Sequence, residues 1–409
     1  MTSSLYLHVP FCASACDYCD FFSVPLNAVR DDNLPDLFID AALGDVKDQL
    51  ALFNVDHVPA VYIGGGTPSV LGASRASRLL GGLQALLQAM KKPPLEITIE
   101  ANPESAGRDF LQACADGGVS RISLGVQTFH EAPRRAVRRS GGALLEERLA
   151  LASEYFPGAF SADLITGLPF QTGGIVLNDI EKLLAFKPAH VSLYSLILEP
   201  ETPLGEQESR QGAAAISLPC GDEADKLWMI GRGKLEKAGF AQYEVSNFSL
   251  PDKTCAHNIR YWRMENWLGA GPSASGTIIE ESGSGKRRSY PADIGAYLAA
   301  PRVRSAHVEE LDRAALIRES LLMGFRYSGG PDPLLFRRRF GLGIEDCIPQ
   351  TLARWRGRGF FENGQPGGFE VSRNGMLFLN GFLRDAFVEL DGQCQQLKPS
   401  LNNHIRKTG

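Results

Sequence analysis

Through the first half of the chain, short apolar and β-branched runs alternate with longer stretches of helical periodicity. The runs Leu5–Val9, Ala60–Ile63, Leu95–Glu100, Arg121–Gly125, Ala159–Ile165 and His190–Ile197 predict strands. Between them, Pro35–Phe53, Arg75–Met90, Arg108–Ala115, Leu144–Glu154 and Ile175–Phe186 predict helices. Strand and helix in alternation build a parallel sheet, so the expected fold is α/β, an open or partial (β/α)6 barrel over residues 1–205. Such sheets carry their chemistry at the carboxyl ends of the strands, on the loops that follow.

The pattern changes beyond that point. Residues 210–222 (RQGAAAISLPCGD) read as a flexible connection, Glu223–Ala238 as a helix, and Glu280–Arg288 (EESGSGKRR) as a loop, which makes 206–300 an extension of the barrel. Over 301–395, helices at Leu311–Tyr327, Leu334–Phe340 and Ile348–Arg358 precede a short hairpin near Phe369–Val371 and a last helix, Gly375–Leu390. Helices followed by a small hairpin predict a winged-helix-like α+β module, a lid or a partner-docking surface. Residues 396–409 read as a tail, polar and frayed from Ser400 on.

Composition narrows the function classes. The 409 residues are 44% hydrophobic and 22% charged, ordinary for a globular protein. A net charge of −5 gives no basic field, so nucleic acid is not an expected partner, even with Arg337, Arg338 and Arg339 in a row. No run reaches the roughly 18 apolar residues of a membrane span. The start, MTSSLYLHVPF, lacks the charged and apolar regions of a secretory signal. A cytoplasmic protein is expected, in which thiols stay reduced and clustered cysteines mean metal or redox chemistry. Cys114, Cys220, Cys347 and Cys394 are scattered and read as inert thiols.

Cys12, Cys16 and Cys19 are the cluster, within eight residues after the first strand. Cubane iron–sulfur clusters take cysteine thiolates, usually four. Three would leave one iron of a [4Fe-4S] cube open, and an open position is what makes a metal centre reactive. A zinc site completed by His8 or Cys255 and an oxidised surface loop are the alternatives. Other strand ends also present polar or glycine groups. Gly64, Gly65, Gly66 and Thr67 permit close backbone approach to a ligand or make a tight turn, and no Lys-Ser/Thr follows to form a P-loop. Glu100 suits a ribose hydroxyl or a helix cap; Gln127 suits a ligand's polar edge; the fifth strand ends near Asp163-Leu164-Ile165-Thr166-Gly167. Arg139 lies in APRRAVRRSG, by charge a solvated face. Further on, His257-Asn258-Ile259-Arg260-Tyr261-Trp262 offers a neutral imidazole for haem iron and flat rings for a porphyrin face. His257 also reads as a structural histidine, Trp262 and Trp267 as core or rim aromatics, and Cys255 as a second ligand or a buried thiol.

Taken in order, YLHVPFC with its following cysteines, IGGGTPS, IEANPE, SLGVQTF, DLITGLPFQT and SLYSLILEP resemble the coproporphyrinogen III oxidase-like branch of the radical SAM superfamily, and within it the haem-chaperone group. The resemblance runs from Tyr6 to about Leu390. It implies that Cys12, Cys16 and Cys19 ligate a [4Fe-4S] cluster whose open iron chelates S-adenosylmethionine, the source of a 5′-deoxyadenosyl radical. It places Tyr6, Tyr18, Gly65, Gly66, Thr67, Glu100, Gln127, Arg139 and Asp163 at S-adenosylmethionine. His257, Tyr261 and Trp262 belong to the haem motif of the chaperone group. One departure is Ser275, which stands in GAGPSASG where relatives carry a histidine.

The resemblance implies a haem-delivery protein serving membrane-bound haem proteins, with a homodimer as a further expectation. The alternatives are an oxygen-independent coproporphyrinogen III oxidase and a related radical methyltransferase. Phe21 occupies the position at which the oxidase carries a fourth cysteine, and the haem motif is intact; both features favour the chaperone group.

Overall fold

The computed structural model describes residues 1–299, 306–362 and 368–405, with side chains to residue 392. Strands β1 (Ser4–Val9), β2 (Ala60–Gly65), β3 (Glu96–Ala101), β4 (Arg121–Gln127), β5 (Phe160–Thr166) and β6 (His190–Ser195) lie side by side in chain order, all parallel. Helices α1 (Leu34–Leu52), α2 (Gly72–Leu87), α3 (Arg108–Asp116), the short α4 (Glu131–Ala136) with α5 (Leu145–Tyr155), and α6 (Gly173–Leu184) make the crossovers. The expected α/β barrel is therefore present.

Its strands alternate, with an irregularity in β4 between Gly125 and Gln127. Leu5, Leu7, Val61, Ile63, Ile122, Leu124, Val191 and Leu193 belong to one apolar core shared with Phe38, Leu79, Leu111, Leu149 and Ile180 of the helices. The residues between them share the concave face and are polar: Tyr6, Tyr62, Glu96, Glu100, Arg121, Ser123, Ser161, Asp163 and His190. Side chains of period two must face opposite sides, so the helices take the apolar set and the lumen keeps the polar one.

The sheet is larger than expected, twelve strands instead of six. After α7 (Pro203–Gln211) and α8 (Asp222–Lys237), β7 (Ala241–Gln242) and β8 (Asn247–Ser249) add antiparallel beside β6. Helix α9 (Ala256–Trp262) leads to β9 (Trp267–Ala270), which pairs parallel with β1 on the other side. Antiparallel β10 (Ser275–Ile279), β11 (Gly285–Ser289) and β12 (His307–Leu311) complete that edge.

Two expected loops are structured. Glu280–Arg288 is the turn and most of a strand: the Glu280 amide donates to Ser284 O at 2.9 Å, and Gly283 takes φ +81°. Lys286 pairs across the strands with Glu310 at 3.1 Å and Arg287 with Glu309 at 3.8 Å, and Arg287 also reaches Glu319 of a following helix at 2.6 Å. Cross-strand partners, absent from the local sequence, make a strand of a charged segment. The connection 210–222 likewise holds a 3-10 turn, Ala213–Ile216, whose Ile216 and nearby Leu218 are buried with Val137, Ile165, Leu168 and Leu204. Leu204, against which this segment packs, donates its N–H to Asp17 O at 2.9 Å and so braces the cysteine loop.

Helix α10 (Ile294–Ala299) packs on α1, with the Tyr297 hydroxyl donating to Asp45 Oδ2 at 2.9 Å. A second core is built by α11 (Arg313–Gly324), α12 (Pro333–Phe340), α13 (Ile344–Cys347), α14 (Pro349–Arg356) and α15 (Leu379–Ile405) around Phe325, Phe360 and Phe382. Glu362 N donates to Glu370 O and Ser372 N to Phe360 O, the two arms of the expected hairpin, whose tip lies outside the described residues. The last helix continues to Ile405, into the stretch read as a tail; of that tail, residues 406–409 lie outside the described residues. No described helix is long and apolar enough to cross a membrane.

Candidate functional site

Two adjoining cavities open at the carboxyl rim of the barrel. The first, about 500 Å³, is walled by the cysteine loop and the ends of β2 to β6. Cys12, Cys16 and Cys19 all line it. The Cys12 thiol lies 3.2 Å from Thr67 Oγ1, and Arg139 donates to Cys16 Sγ at 3.5 Å. Burial pushes the Cys19 thiol up to about 11, and the neighbouring Cys16 and Cys12 add to this.

Glycines seat that loop. Gly65 has φ +106°, and a Cβ there would lie 2.6 Å from the His8 ring; at Gly66 it would lie 2.5 Å from Phe11 O. Backbone bonds run from Gly66 N to Val9 O at 2.8 Å and from Thr67 N to Phe11 O at 2.6 Å. The close approach that the glycines permit is thus to the His8 ring and to the backbone that enters the cysteine loop.

Around the same cavity stand Tyr18, Gly65, Gly66, Thr67, Glu100, Gln127, Arg139 and Asp163, eight of the nine residues expected at S-adenosylmethionine. Arg139 donates to Gly125 O at 2.6 Å and Asn102 Oδ1 at 3.2 Å, so this residue is part of the cavity and not of a solvated face. Arg134 is also buried, donating to Val126 O at 2.8 Å, while Arg135 and Arg138 point outward to Glu131 and Asp17. Burial pushes Glu100 up to about 7, opposed by its bond from Tyr62, and Asp163 up to about 6.

The ninth, Tyr6, lines the second cavity instead. Its hydroxyl lies 3.0 Å from His8 Nδ1, and its ring is 6.5 Å from that of His257. Tyr6 lies one concave position before His8, in register with Tyr62.

That second cavity, about 1040 Å³, brings together His257, Tyr261, Trp262, Met264, Trp267 and Met323, and shares Asp20, Phe21 and Tyr194 with the first. His257 is 9% exposed, and its Nδ1 has no hydrogen-bond partner. Burial, helped by Arg260, pushes its imidazole down to about 4, so it is neutral at pH 7. Tyr261, on the rim, packs edge-on against Trp267 with ring centroids 5.1 Å apart. Ser275 lines this cavity too, its hydroxyl 3.2 Å from Ser289 Oγ.

Helix α9 is bolted to the barrel floor by residues the motif does not include. Glu96 Oε1 accepts from Ala256 N at 3.0 Å and from the Cys255 thiol at 3.2 Å. Arg121 bridges Glu96 and the carbonyls of Lys253 and Thr254. Asn258 donates to the Tyr243 hydroxyl at 3.3 Å, which meets His190 Nε2 at 2.8 Å; His190 Nδ1 meets Ser161 at 2.7 Å. Cys255 is occupied in this network and lines neither cavity. The sequence signal for Glu96, Arg121, Ser161 and His190 is a polar residue at every second place in otherwise apolar strands.

A model of the radical SAM superfamily matches residues 6–185. The heme chaperone HemW of Lactococcus lactis is 35% identical over 357 residues, 86% of this chain and 88% of the relative. The chain belongs to the HemW family, within the radical SAM superfamily. HemW of Escherichia coli is 32% identical over 389 residues, covering 93% of this chain and 97% of that one. The solved structure of coproporphyrinogen III oxidase (HemN) from Escherichia coli, a radical SAM enzyme, matches with a TM-score of 0.75 over 94% of this chain and 89% of that one, at 22% identity. HemW and HemN thus share this fold.

Membership of the radical SAM superfamily implies a [4Fe-4S] cluster and S-adenosylmethionine, and the HemW name implies haem. The residues fit all three. No three His, Cys, Asp or Glu among the described residues converge on a point, as one zinc ion would need; a cubane takes its cysteines on separate irons. His8 is engaged with Phe22 O at 2.9 Å and Cys255 with Glu96, which leaves zinc without its fourth ligand. Gln127 Oε1 and Arg139 Nε, buried without partners, belong to residues lining the first cavity, and His257 Nδ1 to one lining the second. Buried polar atoms without partners are costly, and a bound ligand relieves the cost.

Proposed function

We propose that this chain is a haem-binding and haem-delivery protein: it holds a [4Fe-4S] cluster on Cys12, Cys16 and Cys19, S-adenosylmethionine in the first cavity, and haem in the second with His257 as an axial ligand. The observation that carries the reading is the second cavity, about 1040 Å³, where a buried, neutral imidazole whose Nδ1 has no hydrogen-bond partner stands among Tyr261, Trp262, Trp267, Met264 and Met323. Neutral imidazole ligates haem iron, and rings of this kind suit a porphyrin face.

In the first cavity, a bound cluster supplies an open iron and one-electron chemistry. The chain's own part there is to orient: Arg139 and Thr67 hold sulfur positions, while Glu100, Asp163 and Gln127 offer acceptors to a ligand's cationic and hydroxyl groups. Phe21 stands in the wall shared by both cavities, at the position of the oxidase's fourth cysteine, which supports haem delivery over porphyrinogen decarboxylation.

The test is a titration of cluster-reconstituted protein with ferric haem, followed by mixing of the loaded protein with vesicles carrying a haem-free membrane haem protein. One haem per chain, weakened by His257→Ala, and transfer to the vesicles are expected. No saturable binding would overturn the reading.

A further inference from the structure

Besides their shared wall, a hydrogen bond links the two cavities. Tyr62 on β2 lines the second cavity, Glu100 on β3 lines the first, and the Tyr62 hydroxyl donates to Glu100 Oε1 at 2.7 Å. Tyr62 is in register with Thr98, so Glu100 is the next concave residue toward the rim. The other Glu100 oxygen takes the Gly65 amide at 3.2 Å. On the opposite side the Tyr62 ring lies 5.1 Å from the His257 imidazole, tilted by 35°, and 6.3 Å from the stacked Tyr6 ring. One phenol is thus held at its hydroxyl by a carboxylate of the first cavity while its face supports the imidazole of the second.

We propose that Tyr62 is a positioning residue that couples the cavities: a cationic ligand beside Glu100 in the first fixes Tyr62, and through it His257, so that filling the first cavity tightens haem binding in the second. The inference rests on the reading of the second cavity as the haem site.

The physical basis is the state of Glu100. Its carboxylate is buried with Asp163 as a second acid nearby, so without a positive ligand its charge is disfavoured. A sulfonium or ammonium group beside it favours the ionised form, and a hydroxyl bonded to an ionised acceptor is held about twice as strongly. His257 needs such outside support. Its Nδ1 has no partner to fix the ring, so contact with Tyr62 and Tyr6 sets its orientation. Thermodynamic linkage makes the effect reciprocal: haem must tighten binding in the first cavity by the same factor.

The experiment is a titration of ferric haem into cluster-reconstituted wild type and Tyr62→Phe, each with and without saturating S-adenosylmethionine, read at the Soret band. In wild type, S-adenosylmethionine is expected to lower the haem dissociation constant by about fivefold or more. In Tyr62→Phe the constant does not change with S-adenosylmethionine, whatever its value. Equal coupling in the two proteins, or none in wild type, overturns the inference. A wild type that binds no haem fails the functional reading instead, and one that binds haem with indifference to S-adenosylmethionine fails only the coupling. Should Tyr62→Phe not fold, 3,5-difluorotyrosine at position 62, a stronger donor of nearly the same shape, is expected to raise the coupling factor; an unchanged factor overturns it.

Discussion

Glu96 on β3 accepts the backbone amide of Ala256 at 3.0 Å on one oxygen and the Arg121 guanidinium at 2.9 Å on the other. A buried ion pair at the barrel floor therefore fixes the start of the helix that carries His257. Removing one member of such a pair leaves the other charge buried and unpaired, at a cost of about 3–5 kcal/mol. Glu96→Ala is expected to lower unfolding stability by about that amount, measured by urea denaturation, and to weaken haem binding. A loss below about 1 kcal/mol would show that the pair does not organise the floor.

His190 predicts a pH dependence. Burial, with Arg121 adding, pushes its imidazole down to about 3 from 6.5, so the folded protein binds fewer protons than the unfolded chain between those values. Its contribution is complete above about 6.5 and is lost as pH falls toward about 3. The stability difference between wild type and His190→Gln should narrow from pH 7.5 to pH 4.5 in paired urea unfolding curves. A difference that stays constant or widens would contradict the buried neutral imidazole.

Two glycine substitutions should separate. Gly66→Ala places a Cβ 2.5 Å from Phe11 O and 2.9 Å from Val9 O, against the backbone that enters the cysteine loop. Reconstituted iron and acid-labile sulfide per chain are expected to fall to well under half of wild type. Gly81→Ala, in exposed α2 with nothing within 4 Å, should keep full iron and gain about 0.5–1 kcal/mol. Full iron loading in Gly66→Ala would show that the loop yields to the methyl group.

Much of the site was legible because it follows from local pattern. The six strands and the cysteine spacing follow from that pattern, Glu100 and Gln127 fall at strand ends, and Asp163 lies inside the fifth strand on the cavity side. What was hidden depends on partners far along the chain. Gly285–Ser289 becomes a strand by pairing with His307–Leu311, where Glu309 and Glu310 face Arg287 and Lys286, and 210–222 is ordered because Ile216 and Leu218 find an apolar pocket behind the cysteine loop. Arg139 looked solvated because charge alone does not reveal a nearby thiol and carbonyl. Tyr6 sits one concave position below the rim, a difference in depth that motif order does not carry.

Cys255 offers a discriminating control. Its thiol donates to Glu96 at 3.2 Å, and a serine hydroxyl can do the same. Cys255→Ser should leave the Soret position and the haem dissociation constant unchanged. A shifted Soret band would make the thiol a ligand.

The central claim is that haem occupies the second cavity on His257, and rescue of a cavity variant tests it most directly. His257→Ala leaves space where an imidazole stood, so added free imidazole should restore the wild-type Soret maximum and tighten haem binding at least tenfold over the same variant without it. Haem binding by His257→Ala at wild-type affinity, or binding that imidazole does not change, would contradict the claim.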